Sequence, residues 1–438
     1  MNYFLLPHVH PMVHRKLDYL TDYYPPALTE TTSSLAQYLY EIKEKIKLFD
    51  NEWDTYKEYT NPYEYIHTQI PTLKHAVSTY RPLSRSYFKM VEILTHFDML
   101  KDYENKAIRS FHLAEGPGGF IEALVNQRSN IGLSTSSIGI SSSSSGLSTS
   151  SIGISSSSSS NSSNSSNSSN SSSSSSTKRL QDRYIGMTLM DETDKTIPSW
   201  KKSHHFMRNN PTVGIEYGVD GTGNLLSLTN FVDIVQRYGS SMDLVTADGG
   251  FDFSDDFNKQ ELNMLNLLYA QIAFAVCMQK REGAFVLKMF DCFSEASMDL
   301  LYLLSSFYEK VYITKPQTSR YANSERYIVC LKFHFEGNTA FYPYLLSTFD
   351  KMAAAQNKPV QRFFAMGLPL YYLNRLEESN IVIGMNQIEN IYATITLMEN
   401  KTSKKNRMEH LVKVNVAKCV HWCMHHGVPI LPSLQGMV

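Results

Sequence analysis

Asp248, Lys288, Glu325 and a glycine turn are the features of this 438-residue chain whose chemistry and spacing invite a functional reading. Asp248 follows the apolar run LVTA in TADGGFD, Lys288 closes the run AFVLK, and Glu325 stands just before RYIVC in NSERY. The turn, Gly116–Gly119, lies in FHLAEGPGGF. An amine and two carboxylates can move protons and orient a ligand. Glycines permit a tight turn and let a ligand lie against the main chain. Each feature also has a plainer reading. Asp248 before two glycines is a turn former, and Lys288 a side chain snorkelling out of the core. Glu325 is a solvated loop residue, and the glycines a strand-to-helix connection.

The elements around them decide between these readings. Apolar runs predict strands at Phe111–Ala114, Tyr184–Leu189, Leu244–Ala247, Ala284–Met289, Val311–Thr314 and Tyr327–Phe333. Helical patterns fall at Ser86–Thr95, Gly118–Asn126, Asn258–Gln279 and Glu295–Tyr308. Such alternation predicts a mostly parallel α/β sheet. The last two strands are joined only by KPQTSRYANSE, too short for a parallel crossover with a helix, so they should be antiparallel. The glycine turn, Asp248, Lys288 and Glu325 then share the carboxyl edge, where open α/β sheets bind ligands. Before Arg81 and after about Pro343 the chain reads as helical. The expected organisation is an N-terminal extension at 1–83, a core at 84–345 and a C-terminal extension at 346–438.

Composition narrows the classes. Net charge is −1 and the sequence pI is about 6.9, so a polyanion would have to be met by a local basic patch. Lys401–Arg407 and Lys201–His205 are basic clusters that read first as solvated faces, with phosphate contact as the alternative. Five cysteines form no disulfide framework, which fits a reducing compartment. The start has no basic region of a signal peptide, and no window reads as about 18 consecutive apolar residues, so no membrane partner is expected. The cluster KCVHWCMHHG, Cys419 to His426, lacks a second ligand pair and predicts an amphipathic helix with no metal. His8, His10 and His14 are weaker still as ligands. From about residue 131 to 178 the chain is nearly all Ser, Asn, Gly and Ile, with GLSTSSIGISSSSS at Gly132 and again at Gly146. This composition predicts a disordered insert between a helix and the next strand, away from the ligand edge. Its Asn-Ser-Ser triplets match the N-glycosylation pattern only by accident of the repeat.

Taken in order, EGPGGF, TADGGFD, FVLKMF and KPQTSRYANSERYIVC resemble the FtsJ-like 2′-O-ribose RNA methyltransferases. Within them the chain is most similar to the cellular and large-DNA-virus mRNA cap methyltransferases. HLAEGPGGFIEAL, LVTADGGFD and FVLKMFD resemble the branch acting on the second transcribed nucleotide. The resemblance covers about 84–333 without the serine tract, and the flanks carry no such motif. It implies a Rossmann-like S-adenosylmethionine methyltransferase sheet, parallel with one antiparallel strand, flanked by helical extensions. It also implies a Lys-Asp-Lys-Glu tetrad: Asp248, Lys288 and Glu325, with Lys89 of SRSYFKMVEIL as the first lysine. The plain reading of Lys89 is an exposed helix lysine. The implied cofactor is S-adenosylmethionine, with Glu115, Gly116, Pro117, Gly118, Gly119, Phe120, Asp220 and Asp248 around it and His112 a weaker candidate. Asp220, in GVDGTGN, is equally a turn former. An intracellular setting follows, nuclear or cytoplasmic, or a virion or host cytoplasm for a viral chain.

In this reading Lys288 is the general base and Lys89 helps to hold the ribose hydroxyl. A lysine at its ordinary pKa of ~10.4 stays protonated at neutral pH. A second lysine and partial burial lower that value, and neighbouring carboxylates raise it. The implied partner is RNA, most naturally capped mRNA, with Lys315, Arg320 and Arg326 as candidate backbone contacts. The alternatives are the same reaction on ribosomal or transfer RNA, or a silent RNA-binding protein on the same fold. A dinucleotide oxidoreductase is disfavoured because the turn is not G-x-G-x-x-G.

Overall fold

Apolar runs bounded by turn residues build ten strands in the computed structural model, which describes residues 2–22, 33–138, 181–191, 197–250, 257–355, 358–400 and 405–437. They are β1 (Asn2–Leu5), β2 (Leu17–Thr21), β3 (Arg109–Leu113), β4 (Arg183–Met187), β5 (Val213–Glu216), β6 (Met242–Ala247), β7 (Gln279–Met289), β8 (Tyr308–Lys315), β9 (Arg326–Phe333) and β10 (Val360–Phe364). Eight form one sheet in the order β1-β8-β9-β7-β6-β3-β4-β5. The run from β5 to β7 is parallel, and β9 lies antiparallel between β7 and β8. The sheet is thus mostly parallel, as the alternation predicts, and the short β8–β9 link does produce an antiparallel pair.

Strand alternation assigns the two faces. Phe285, Leu287 and Met289 of β7, with Ile328 and Cys330 of β9, belong to one apolar cluster, which helices Leu228–Tyr238, Gln260–Met278 and Glu295–Phe307 complete. Val286 of β7 and Tyr327 and Val329 of β9 belong to the other, under helices Ser86–His96 and Gly119–Ile138. Lys288 shares the parity of Val286, so strand geometry alone turns it toward the helix that carries Lys89.

Several elements differ from expectation. β1 adds a second antiparallel strand, at the β8 edge, where one was expected. Neither flank is purely helical: β2 of the N-terminal flank pairs with β10 of the C-terminal flank in a separate two-stranded sheet. These strands have four or five residues and partners more than three hundred positions away, so no local periodicity announces them. β5 was missed for its four half-exposed residues, although the helix after it, Leu228–Tyr238, is amphipathic with Ser227 as its N-cap. Helix Gln260–Met278 is, by length and composition, apolar enough to cross a membrane, against the expectation from the sequence; here it is almost wholly buried in the first cluster. A helix apolar on all sides belongs in such a core.

Most of the serine tract, 139–180, lies outside the described residues. The helix before it runs to Ile138, and β4 resumes at Arg183, so both attachments are at the amino edge of the sheet.

Candidate active site

Lys288 and Tyr327 are directly opposite in the β7–β9 register. The Lys288 ammonium donates to the Asp248 carbonyl at 2.6 Å and lies 3.3 Å from its carboxylate Oδ1. Tyr327 donates its hydroxyl to the same Oδ1 at 3.1 Å. Asp248 is held in turn by its own N–H, which reaches the Leu113 carbonyl at the end of β3 at 3.3 Å. The sheet thus delivers Lys288 and Asp248 to one point through adjacent strand ends.

Lys89 approaches from the covering helix. Its ammonium pairs with Glu325 at 2.7 Å and sits 5.9 Å from the centre of the Tyr327 ring. Glu325 also accepts the Ser319 hydroxyl at 2.7 Å. Burial would raise the Glu325 carboxyl, but the Lys89 and Lys288 charges with the Lys89 and Ser319 hydrogen bonds outweigh it and hold it at about 2. Lys89, Asp248, Lys288 and Glu325 therefore meet around Tyr327, which sequence reading overlooked. Its place two residues after Glu325, on the parity that faces Lys89, was the available signal.

The glycine turn is less simple. A Cβ on Gly116 would fall 2.0 Å from the Pro198 carbonyl oxygen, and one on Gly119 would fall 2.2 Å from the Ser84 and Ser86 hydroxyls. Gly118 has φ +101°. The protein's own neighbours thus account for the missing side chains at Gly116 and Gly119, where a ligand had been expected to need the room. The Pro117 carbonyl accepts the Ser203 hydroxyl, and the Phe120 ring is buried 5.9 Å from that of Tyr327.

Glu115 is the unusual group beside this turn. It is buried, and neither carboxylate oxygen completes a hydrogen bond among the described residues. Burial and the Asp248 charge push its carboxyl well up, against the Ile121 and Phe120 amides at the start of the next helix. His112, the weaker candidate, is a core residue. Its ring nitrogens meet Ser110 at 2.8 Å and Thr246 at 2.7 Å, and burial brings it down to about 3, so it is neutral. Asp220 lies beyond β5 at the same edge. It accepts the Thr222 amide at 2.9 Å, the Thr222 hydroxyl at 2.7 Å and the Asn230 amide group at 2.9 Å, which makes it the organiser of its own turn.

A strand-end lysine and carboxylate, facing a helix lysine and a loop carboxylate, form the edge constellation that the motif order implies. The model of FtsJ-like methyltransferases matches residues 82–333, more than half of the chain. The chain belongs to the FtsJ-like methyltransferase family. The cap-specific mRNA (nucleoside-2′-O-)-methyltransferase 2 of Pongo abelii is 36% identical over 186 residues, 42% of this chain and 24% of that protein. The corresponding methyltransferase 1 of Leishmania braziliensis is 34% identical over 191 residues, 42% of this chain and 48% of that protein. The methyltransferase 2 of Danio rerio is 27% identical over 336 residues, 75% of this chain and 38% of that protein. The chain spans between about a quarter and a half of the length of these relatives. The FtsJ span contains β3 to β9 and the four candidate residues, and leaves both flanks outside.

S-adenosylmethionine is the methyl donor of this FtsJ-like family. The buried Glu115 carboxylate, whose oxygens complete no hydrogen bond among the described residues although the Ile121 and Phe120 amides and the His112 ring at 3.7 Å are near, lies next to the glycine turn and the strand ends and is the observation that fits such a ligand. Asp248 and the backbone of the turn stand beside it, whereas the Phe120 ring is committed to the core.

The three cations expected to meet RNA are otherwise engaged. Arg326 is fully buried, donating to Asn380 at 2.7 Å and Asp291 at 3.3 Å, so it is not a surface contact. Arg320 grips the Glu64 carboxylate at 2.7 and 3.1 Å. Lys315 donates to Asn323 and to the Glu325 carbonyl at 2.7 Å. Arg320 and Lys315 brace the loop that carries Glu325, and Arg326 anchors the start of β9. Loop position suggested exposure, but the acceptors that claim Arg320 and Arg326 come from elements remote in sequence, and those that claim Lys315 come from its own loop. Of the other clusters, Cys419 and Cys423 are buried in the second apolar cluster, and 401–404 lie outside the described residues.

Proposed function

We propose that this chain is an S-adenosylmethionine-dependent methyltransferase of the ribose 2′-hydroxyl in RNA, with capped mRNA as its substrate. The observation that carries the reading is the convergence of the Lys89–Glu325 and Lys288–Asp248 pairs on Tyr327 at the carboxyl edge. The names of the curated relatives support the substrate class. Residues 84–345 form the catalytic unit in this reading, with 1–83 and 346–438 as N- and C-terminal extensions.

When bound, the cofactor supplies an electrophilic methyl group on a sulfonium. Glu115, Asp248, Asp220 and the backbone of Gly116–Gly119 would hold it. Lys288 accepts the proton of the ribose hydroxyl at its Nζ. Asp248 aims that nitrogen through its carbonyl and carboxylate. Lys89, fixed by Glu325, donates to the hydroxyl oxygen and keeps it in line for attack.

The test is incubation with tritiated S-adenosylmethionine and matched capped and uncapped RNAs, followed by nuclease mapping of the label. Label in a 2′-O-methylated nucleotide next to the cap is expected. Equal labelling of uncapped RNA would move the substrate to ribosomal or transfer RNA, and no labelling would leave an RNA-binding protein without this activity.

A further inference from the structure

The loop 316–325 that presents Glu325 is held from several directions. Glu92, one turn beyond Lys89 on the same helix, accepts the Gln317 and Thr318 amides at 2.7 and 3.2 Å. Asn61 accepts the Tyr321 amide at 3.1 Å, and Gln387 donates to the Ala322 carbonyl at 3.0 Å. The strongest hold is Glu64, whose side chain is 1% exposed. Its carboxylate takes both Arg320 donors from the loop and, at 3.3 Å each, two donors from Arg85. Arg85 is the N-cap position of the helix that carries Lys89.

One buried carboxylate therefore ties the start of the Lys89 helix to the loop of Glu325. It belongs to the N-terminal flank, outside the residues matched by the family model. A carboxylate has two acceptor oxygens and can receive two guanidinium forks at once; a carboxamide offers one acceptor oxygen and turns an amine toward the cations.

We propose that Glu64 is a positioning residue for the Lys89–Glu325 pair, setting the separation of its two carriers. This rests on the reading of that pair as part of a methyltransferase site. Small displacements of groups that align a reaction can cost a hundredfold in rate, so the loss should appear in turnover and leave ligand affinity in place.

The experiment compares wild type, Glu64→Gln, Glu64→Asp and Arg320→Gln in the full chain. Arg320→Gln frees only the loop side and leaves Glu64 paired with Arg85, which guards against a core variant that fails to fold. Single-turnover methyl transfer at saturating RNA, titration with the demethylated cofactor, and amide exchange across 316–325 are measured well below each thermal midpoint. Glu64→Gln and Arg320→Gln should lower the rate at least ~10-fold, keep cofactor affinity within about twofold, and speed exchange in the loop. Glu64→Asp, which keeps the charge, should recover part of the rate. Wild-type rate and exchange in both Gln variants would overturn the inference. So would parallel loss of rate and cofactor affinity, which marks a general structural role. A wild-type chain that methylates no RNA sinks the methyltransferase reading itself, whereas unchanged loop exchange sinks the clamp.

Discussion

Lys288 and Tyr327 face each other across the β7–β9 pair, and both side chains end on Asp248: the ammonium 3.3 Å from Oδ1, the phenol 3.1 Å from the same oxygen. The arrangement gives Asp248 a donor from each strand, and it gives Lys288 one fixed direction. The Lys89 ammonium lies over the Tyr327 ring, so one aromatic side chain spaces the two lysines.

Lys288→Ala should reduce methyl transfer by about 10²–10⁴-fold, the range for loss of a positioned general base. The glycine turn and Glu115 are untouched, so titration with the demethylated cofactor should give nearly wild-type affinity. Substantial turnover in the variant would remove Lys288 from this role.

Tyr327→Phe removes one hydrogen bond to Asp248 and keeps the ring beside Lys89. A stability loss of about 1 kcal/mol is expected from urea unfolding, with turnover falling roughly tenfold as Lys288 loses its shared anchor. A variant with unchanged turnover would show that Tyr327 only fills space.

Arg326→Ala should destabilise the fold by about 3–5 kcal/mol, because it leaves Asp291 buried with one partner fewer. Asp291 is shared with Lys43 at 2.8 Å, so the cluster links the N-terminal helix Ser33–Ile46 to the strands of the site. A variant as stable as wild type but weak in RNA binding would restore the surface role that burial rules out.

Acid should erase the contribution of Glu64. Burial raises its carboxyl, but the Arg320 hydrogen bond and the Arg85 and Arg320 charges hold it at about 2, below its ordinary 4.5. The folded form then binds protons less readily than the unfolded one. Its stabilisation is complete above about pH 4.5 and is lost as pH falls toward 2. The stability gap between wild type and Glu64→Gln should narrow over that window, as read by denaturant unfolding at stepped pH. A gap independent of pH would refute the assignment.

Deleting 139–176 should shift the thermal midpoint by no more than about 2 °C and leave turnover within about twofold. Both attachment points are at the amino edge of the sheet, the opposite edge from Asp248 and Lys288. A deletion variant that fails to fold would show that the tract contributes to the core.

How far the sequence reached can be judged from particular residues. The six strands it predicted are present, with bounds moved by no more than five residues, because alternating apolar runs and intervening helices are properties of near neighbours. The length of KPQTSRYANSE alone decided that β9 runs antiparallel, and with that Glu325 came to the same edge as Asp248 and Lys288. Residue type and order were therefore enough to bring the candidate site to one edge of one sheet.

Tertiary structure decided whatever depends on partners distant in the chain. Gly116 and Gly119 looked like room for a ligand, yet the Pro198 carbonyl and the Ser84 and Ser86 hydroxyls occupy the space where their Cβ atoms would lie. Arg320 looked like a free cation beside a substrate path, yet Glu64, 256 positions earlier, holds it. Arg326 reads as a loop cation and is wholly buried against Asp291 and Asn380. Local periodicity fixes which face a side chain takes, because that depends on backbone geometry over a few residues. Which acceptor then claims a charged side chain depends on desolvation and on what the completed fold brings within about 3 Å, and neither is encoded in the neighbouring residues.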